Sequence, residues 1–292
     1  MNILVTGGSG FLGRNICESL TRKFTVYCPG RAELDLTDDV STQSYFKHHD
    51  IDVVINGAWK PGHRNATDIS NLVYTNTRIF MNLVRNKHRF RKLINLGSGA
   101  VYDMRYYAPK MKELYYDAHV PVDDTGFTKY VYNKQIELLD GFVDLRLFGV
   151  FGKYEDYAIR FISNAICKSL FDLPITLRQN RIFDYLFVDD LLPILEHFII
   201  HDAAHKSYNA TPDHSIDLLS LAEMVRDNSG KELPILVAAD GMGPEYSGDN
   251  NRLRAEISDL KFTPIQSSVE QLYAWYSDHK HLIDRDVLLV DK

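Results

Sequence analysis

The sequence predicts an α/β fold, a doubly wound parallel sheet followed by a smaller C-terminal α/β lobe. Three observations predict it. Short apolar runs alternate with longer amphipathic ones through the first two thirds of the chain. Those runs are rich in Val, Ile and Leu, as strands buried on both faces are. Several of them end in glycine, and the first runs straight into a glycine cluster that opens a helix. Strand–helix alternation of this kind places helices on both faces of a parallel sheet.

The strand-like runs are "NILVTG" (2–7), "FTVYC" (24–28), "DVVINGA" (52–58), "KLINLGS" (92–98) and "VDLRLFG" (143–149). Helical stretches lie between them at 10–22, 38–49, 70–88 and 126–140. After about residue 150 the pattern loosens. "EDYAIRFISNAICKSL" reads as a helix and "FDYLFV" as a strand. "VDDLLPILEHFII" is a helix with Pro193 in its early turns, where proline is tolerated. "SIDLLSLAEMVRDNSG" is a capped helix ending at Gly230, and "SSVEQLYAWYSDHK" is the last clear helix. The chain therefore divides into a first unit, 1–150, to which part of 180–210 returns, and a lobe made mainly of 151–292, with a cleft between them.

Composition narrows the function classes. The chain has 292 residues, 45% hydrophobic and 25% charged, with a net charge of −6. That balance suits a globular protein with a real core and argues against a nucleic-acid or anionic-membrane surface. The apolar runs are too short and interrupted to span a bilayer. "MNILVTGG" reads as a strand and turn rather than a signal peptide, so a cytoplasmic location is expected. Cys17, Cys28 and Cys167 fit neither a zinc site nor a disulfide framework, and free buried thiols are expected. "HDAAH" (201–205) imitates a zinc spacing but lacks the glutamate base, and no metal site is expected.

"VTGGSGFLG" carries the first chemistry. Gly7, Gly10 and Gly13 fall at the strand–helix junction, where backbone must approach a pyrophosphate closely and Phe11 and Leu12 begin the helix. This context predicts a dinucleotide in the first unit, which makes it a Rossmann domain and the second lobe the substrate side. The second strand is followed by no immediate carboxylate, but Arg31 is near. An arginine there suits a 2′-phosphate, so NADP is favoured over NAD.

Together "VTGGSGFLG", "RAELDLTD", "VVINGAW", "NLGSGAVYD", "LRLFGVFG", "FDYLFVDDL", "YNAT" and "AEISDLKFTPIQSSVEQLYAWY" resemble, in order and over essentially the whole chain, the extended short-chain dehydrogenase/reductases that modify nucleotide sugars. "RAELDLTD" is most similar to the GDP-fucose synthase and dTDP-4-dehydrorhamnose reductase branches. The resemblance implies that Asp35 and Leu36 lie beside the adenine. It also implies that Asn56, Gly57 and Ala58 line the cofactor and that Asn76 supports them. It further implies that Ser98 bonds the reacting sugar oxygen, and that a tyrosine and a lysine on the next helix exchange its proton and bind the nicotinamide ribose. Trp59, Gly99, Tyr102, Phe148, Gly149, Arg160 and Arg181 are candidates for the sugar and its diphosphate. A homodimer through the helices near 70–88 and 126–140 is also implied, and apolar Ile79, Leu83, Val131 and Ile136 lie along them.

"VDDTGFTKYVYNKQ" admits two registers. The family pattern Tyr-Gly-x-Ser/Thr-Lys matches "TGFTK", with Thr125 in the tyrosine's place and Lys129 as the lysine. The alternative is Tyr130 with Lys134. The longer helix remaining after Lys129 favours the first register. Thr125 is a poor acid. Another group, such as Tyr102, Tyr132 or a water, then supplies the proton, or activity is impaired. The expected activity is hydride transfer at C4 of a nucleotide-diphosphate sugar, by 4-keto reduction or 4-epimerisation. The alternative is a cofactor-binding regulatory or scaffold protein. Ala100 stands where relatives epimerising beside the carbonyl carry cysteine, and Ser98-Gly99-Ala100 stands where dehydratases carry Thr-Asp-Glu, so both of those chemistries are disfavoured.

Overall fold

The computed structural model describes residues 1–63 and 65–290. In chain order the strands are β1 (Asn2–Thr6), β2 (Thr25–Tyr27), β3 (Val53–Asn56), β4 (Lys92–Ser98), β5 (Phe142–Leu147), β6 (Gly149–Phe151), β7 (Ile175–Asn180), β8 (Ile182–Phe183), β9 (Tyr185–Phe187), β10 (Ser207–Ala210), β11 (Ile216–Asp217) and β12 (Ile235–Met242). The helices are α1 (Phe11–Leu20), α2 (Asp39–His48), α3 (Leu72–Arg85), α4 (Asp124–Glu137), α5 (Phe161–Leu170), α6 (Val188–Ile200), α7 (Leu218–Ser229), α8 (Asn251–Glu256), α9 (Ile265–Asp278) and α10 (Arg285–Leu288).

Six strands form one parallel sheet in the order β10-β5-β4-β3-β1-β2. The order reverses at β1, with β2 on one side and β3 on the other, and a crevice opens at the carboxyl ends of strands at such a switch point. Alternate side chains of one strand serve the two faces. Ile3 and Val5 pack with Ile16 and Leu20 of α1 and with α6, whereas Leu4 packs with Tyr45, Phe80 and Tyr132 beneath α2, α3 and α4. This is the Rossmann arrangement the alternation predicts.

A second core, of α5, α7 and α9 around Phe151, Ile175 and Leu177, belongs to the C-terminal lobe. Helix α6 and strand β10 return to the first sheet, and Leu253, Ile257 and Leu260 pack there too. Strands β7 and β12, which pair in parallel, have no strong sequence signal because β12 is largely exposed and lacks apolar alternation. Helix α5 begins at Phe161 rather than near 155: the Asp156 side chain accepts from Ala158 N (3.1 Å) and holds a turn before it. Helix α4 starts at Asp124 because the Asp123 carboxylate accepts from Gly126 N (2.8 Å) and caps it.

The pairing surface expected on α3 and α4 needs correction. Ile79, Leu83 and Ile136 are buried in the chain's own core, since the two helices use these positions to cover the sheet. Tyr74 and Phe127 are the large apolar side chains these helices expose, at 64% and 39% of full accessibility.

Candidate active site

Strand β1 delivers the chain into the glycine loop. Gly7 has φ of 71°, and a Cβ there would stand 2.6 Å from the Gly57 carbonyl oxygen. A Cβ on Gly13 would stand 2.1 Å from the Gly7 oxygen. Gly10 N donates back to Gly7 O (3.0 Å), and Gly10 is the N-cap of α1. The first-turn N–H groups of a helix have no partners within it, and here they open onto a cradle that side chains would fill. Across it, Gly57 N and Ala58 N donate to Thr6 Oγ1 (3.2 and 3.1 Å). Asn76 Oδ1 accepts from Lys60 N (2.7 Å) and so fixes the turn that follows. These residues fit a dinucleotide.

Three expectations at this end change. The Asn56 side chain accepts from Thr6 and donates to Asn95 (2.8 Å) inside the sheet, because its pleat position points it inward. Leu36 is buried in the core under α2 and α3 rather than open to a ligand. Cys17 and Cys28 form a disulfide, leaving Cys167 as the free buried thiol. The bridge ties α1 to the chain just beyond β2 and lies under the glycine loop: a Cβ on Gly8 would meet Cys28 Cβ at 3.1 Å. Spacing alone could not reveal it, since tertiary packing brings the two residues together. Arg31 is 79% exposed at its side chain and pairs with Asp35 (3.3 Å).

A cleft of about 1110 Å³ runs between the first unit and the second lobe. The first unit lines it with Phe11, Leu12, Trp59, Ser98, Thr125 and Lys129, and the neighbouring segment adds Phe148 and Gly149. The second lobe contributes Arg160, Arg178, Arg181, Phe183, Tyr185 and Tyr246. Thr125 stands in the first turn of α4 and Lys129 one turn on, so helical spacing presents both to the cleft. Lys129 Nζ donates to Leu96 O (3.2 Å) and lies 4.1 Å from the centre of the Trp59 ring. Burial brings the Lys129 ammonium down to about 8, against the opposing pull of Asp144.

The alternative pair does not reach the cleft. Tyr130 and Lys134 both bond the Asp117 carboxylate on the outer side of α4. Tyr102 and Gly99 also need correction. Tyr102 is 2% exposed, because its hydroxyl donates to Asn209 Oδ1 (2.8 Å) and accepts from Arg146 (2.8 Å) inside the protein. The Tyr132 hydroxyl is spent on the Asn76 carbonyl. Gly99 is covered, with Phe148 and Tyr246 standing 2.8 Å from where its Cβ would be.

Arg160 and Arg181 line the cleft. Arg181 lies over the Phe183 ring (4.5 Å), its Nε has no hydrogen-bond partner, and burial lowers its pKa. Three arginines, Arg160, Arg178 and Arg181, line this cleft on a chain of net charge −6. Sequence reasoning missed Arg178, Tyr246 and Glu155. Glu155 is buried in the cleft wall and accepts from Ser163 Oγ (2.6 Å), and burial pushes its carboxyl up to about 8.

The match to the profile of known families decides the assignment. Residues 3–211 match the NAD dependent epimerase/dehydratase family. The chain belongs to that family. Among curated proteins it is similar to the GDP-L-colitose synthase of Yersinia pseudotuberculosis, 32% identical over 107 residues, which is 35% of each chain. The aligned stretch thus spans about a third of that relative's length. Among solved structures it is similar to a GDP-L-fucose synthetase from Naegleria fowleri, with TM-score 0.84 and 15% identity over 97% of this chain and 95% of that one. It is also similar to a GDP-mannoheptose C4 reductase from Campylobacter jejuni with NADP bound, with TM-score 0.79 and 18% identity over 94% and 98%. At such identities the structural likeness speaks for the fold.

Proposed function

We propose that this protein is an NAD(P)-dependent oxidoreductase or epimerase acting at C4 of a nucleotide-diphosphate sugar. One observation carries the reading: a single cleft joins the glycine-loop residues Phe11 and Leu12 and the Ser98–Lys129 pair to Arg160, Arg178 and Arg181. A bound nicotinamide supplies or takes up the hydride. Ser98 holds the reacting sugar oxygen, Lys129 donates to the nicotinamide ribose, and the arginines take the diphosphate. NADP is the favoured cofactor, because Arg31, near the end of β2, is an exposed guanidinium paired with Asp35 that suits a 2′-phosphate. The relatives' names make GDP-linked sugars the first substrates to try, and 4-keto reduction and 4-epimerisation the two reactions. A cytoplasmic location goes with that cofactor and substrate, and no helix among the described residues is long and apolar enough to cross a membrane.

The test is turnover of a panel of GDP-, UDP- and dTDP-linked 4-keto sugars with NADPH, and of the matching 4-hydroxy sugars with NADP, followed by cofactor absorbance and product chromatography. Turnover of at least one is expected, with Arg181→Ala raising KM by about ten- to hundred-fold at unchanged NADP affinity. Tight NADP binding without turnover of any sugar would favour the scaffold reading instead.

A further inference from the structure

The proton is the unsolved part of this site, because Thr125 has none to give near neutrality. Two tyrosines line the cleft, Tyr185 and Tyr246. Of the two, Tyr246 is the one packed beside Ser98. Its hydroxyl stands 2.8 Å from where a Cβ on Gly99, the residue after Ser98, would be, and Ser98 lines the same cleft. It is brought there from the C-terminal lobe, by the segment that follows β12.

That segment is held from several sides. Tyr246 N donates to Ile182 O (2.9 Å), and Asp184 N donates to Tyr246 O (3.2 Å). The buried Asp184 carboxylate accepts from Gly248 N (2.8 Å), Thr211 Oγ1 (2.6 Å) and Lys110 Nζ (3.2 Å), closing the turn just beyond the tyrosine. The phenol ring stacks on Tyr107 (5.1 Å, 28°) and packs against Phe148 (5.1 Å) and Phe183 (5.7 Å). A ring fixed this way places its hydroxyl without the entropy cost of a free side chain, as a catalytic acid requires.

Resting on the function proposed above, we propose that Tyr246, delivered from the second lobe, is the catalytic acid that Thr125 is not. In the direction of reduction, the sugar carbonyl carbon gains the hydride and its oxygen becomes an alkoxide. The Tyr246 O–H bond breaks, its proton passes to that oxygen, and the phenolate left behind is reprotonated from solvent at the mouth of the cleft. Oxidation of the sugar hydroxyl runs the same transfer backwards. Burial pushes the phenol up to about 12, with Ser98 and Arg181 pulling the other way, so the group carries its proton at neutral pH.

Tyr246→Phe keeps the ring and removes only the hydroxyl. With the substrate found in the panel, kcat should fall about 100-fold or more while the NADP dissociation constant, read by fluorescence titration, stays put. Turnover within about threefold of the unaltered protein would overturn the assignment while leaving the proposed function standing. If Tyr246→Phe also loses NADP binding, fluorotyrosine incorporated at 246 decides. Its more acidic phenol should move the alkaline limb of the reduction pH profile to lower pH, and an unmoved limb would overturn the assignment. An unaltered protein that turns over no sugar overturns both proposals together.

Discussion

Lys129 carries a charge in a place water barely reaches, with the Leu96 carbonyl and the Trp59 ring as its company. Its folded pKa, about 8, lies below the 10.5 of the free side chain, chiefly through burial. Below pH 8 both folded and unfolded chains hold the proton, and the folded state bears the full cost of the buried charge. Between 8 and 10.5 the folded state has released the proton and the unfolded state has not, so this group's contribution to stability climbs with pH. Lys129→Met should therefore stabilise the protein at pH 7 by roughly 1–3 kcal/mol while abolishing turnover. The advantage should shrink towards nothing by about pH 11. Urea unfolding of both proteins across that range checks it, and a constant difference would disprove the assignment of the cost to the ammonium.

At the scale of elements, the glycine loop and helix α4 were legible because local chemistry dictates them. The left-handed φ of 71° at Gly7 and the contact of Gly13 with the Gly7 carbonyl are local demands for glycine, and Asp123 caps a helix at its own doorstep. The Thr125–Lys129 spacing could be read for the same reason. Tyr246 could not, since it reaches the cleft through a turn held by distant Asp184, and Glu155 could not, since nothing local in the sequence shows that its carboxyl is buried in the cleft wall. The Cys17–Cys28 bridge was hidden in the same way, and it acts on the same loop. Closing so short a loop stabilises by about 3 kcal/mol in the chain-entropy account. Reduction should lower the midpoint of thermal unfolding and weaken NADP binding, because β2 and α1 are then free to part beneath Gly8. Calorimetry and cofactor titration with and without a thiol reductant, read against a Cys17→Ala variant, test both. Identical affinities in the two states would uncouple the bridge from the loop.

At the scale of the whole molecule, the packing around the sheet and the core of the C-terminal lobe border one cleft, and strand–helix alternation predicts the parallel sheet but not the strand order that opens the crevice. What alternation does not give is which helix faces remain free once the core is filled. Ile79, Leu83 and Ile136 look like contact residues in a linear pattern because core and interface are both apolar. A dimer through α3 and α4 would use Tyr74 and Phe127 instead. Light scattering at micromolar concentration should give a dimer mass, and Tyr74→Glu with Phe127→Glu should give a monomer. A monomer before substitution would rule the pairing out.

One unbroken line of side-chain bonds crosses that sheet. Thr6 donates to Asn56 (3.0 Å), Asn56 to Asn95 (2.8 Å) and Asn95 to Asp144 (2.5 Å). Asn133 links Asp144 (2.9 Å) to Arg146 (2.7 Å), and Arg146 continues through Tyr102 to the Asn209 side chain, whose own backbone N–H donates to the Glu113 carboxylate (2.8 Å). Asp144 also fixes a glycine at 97, where a Cβ would stand 2.3 Å from its carboxylate. Neighbours in this line spend buried polar atoms on one another, so losing one leaves the next short of a partner in a dry interior. The consequence is historical. These positions cannot drift one at a time, and descendants of this sequence should exchange them in matched sets or keep them all. Asp144→Asn and Arg146→Met should each cost about 3–5 kcal/mol alone. Made together they should cost well under the sum, by a coupling of about 0.5–3 kcal/mol. Strict additivity in that cycle would mean the line is a row of separate bonds rather than one inherited unit.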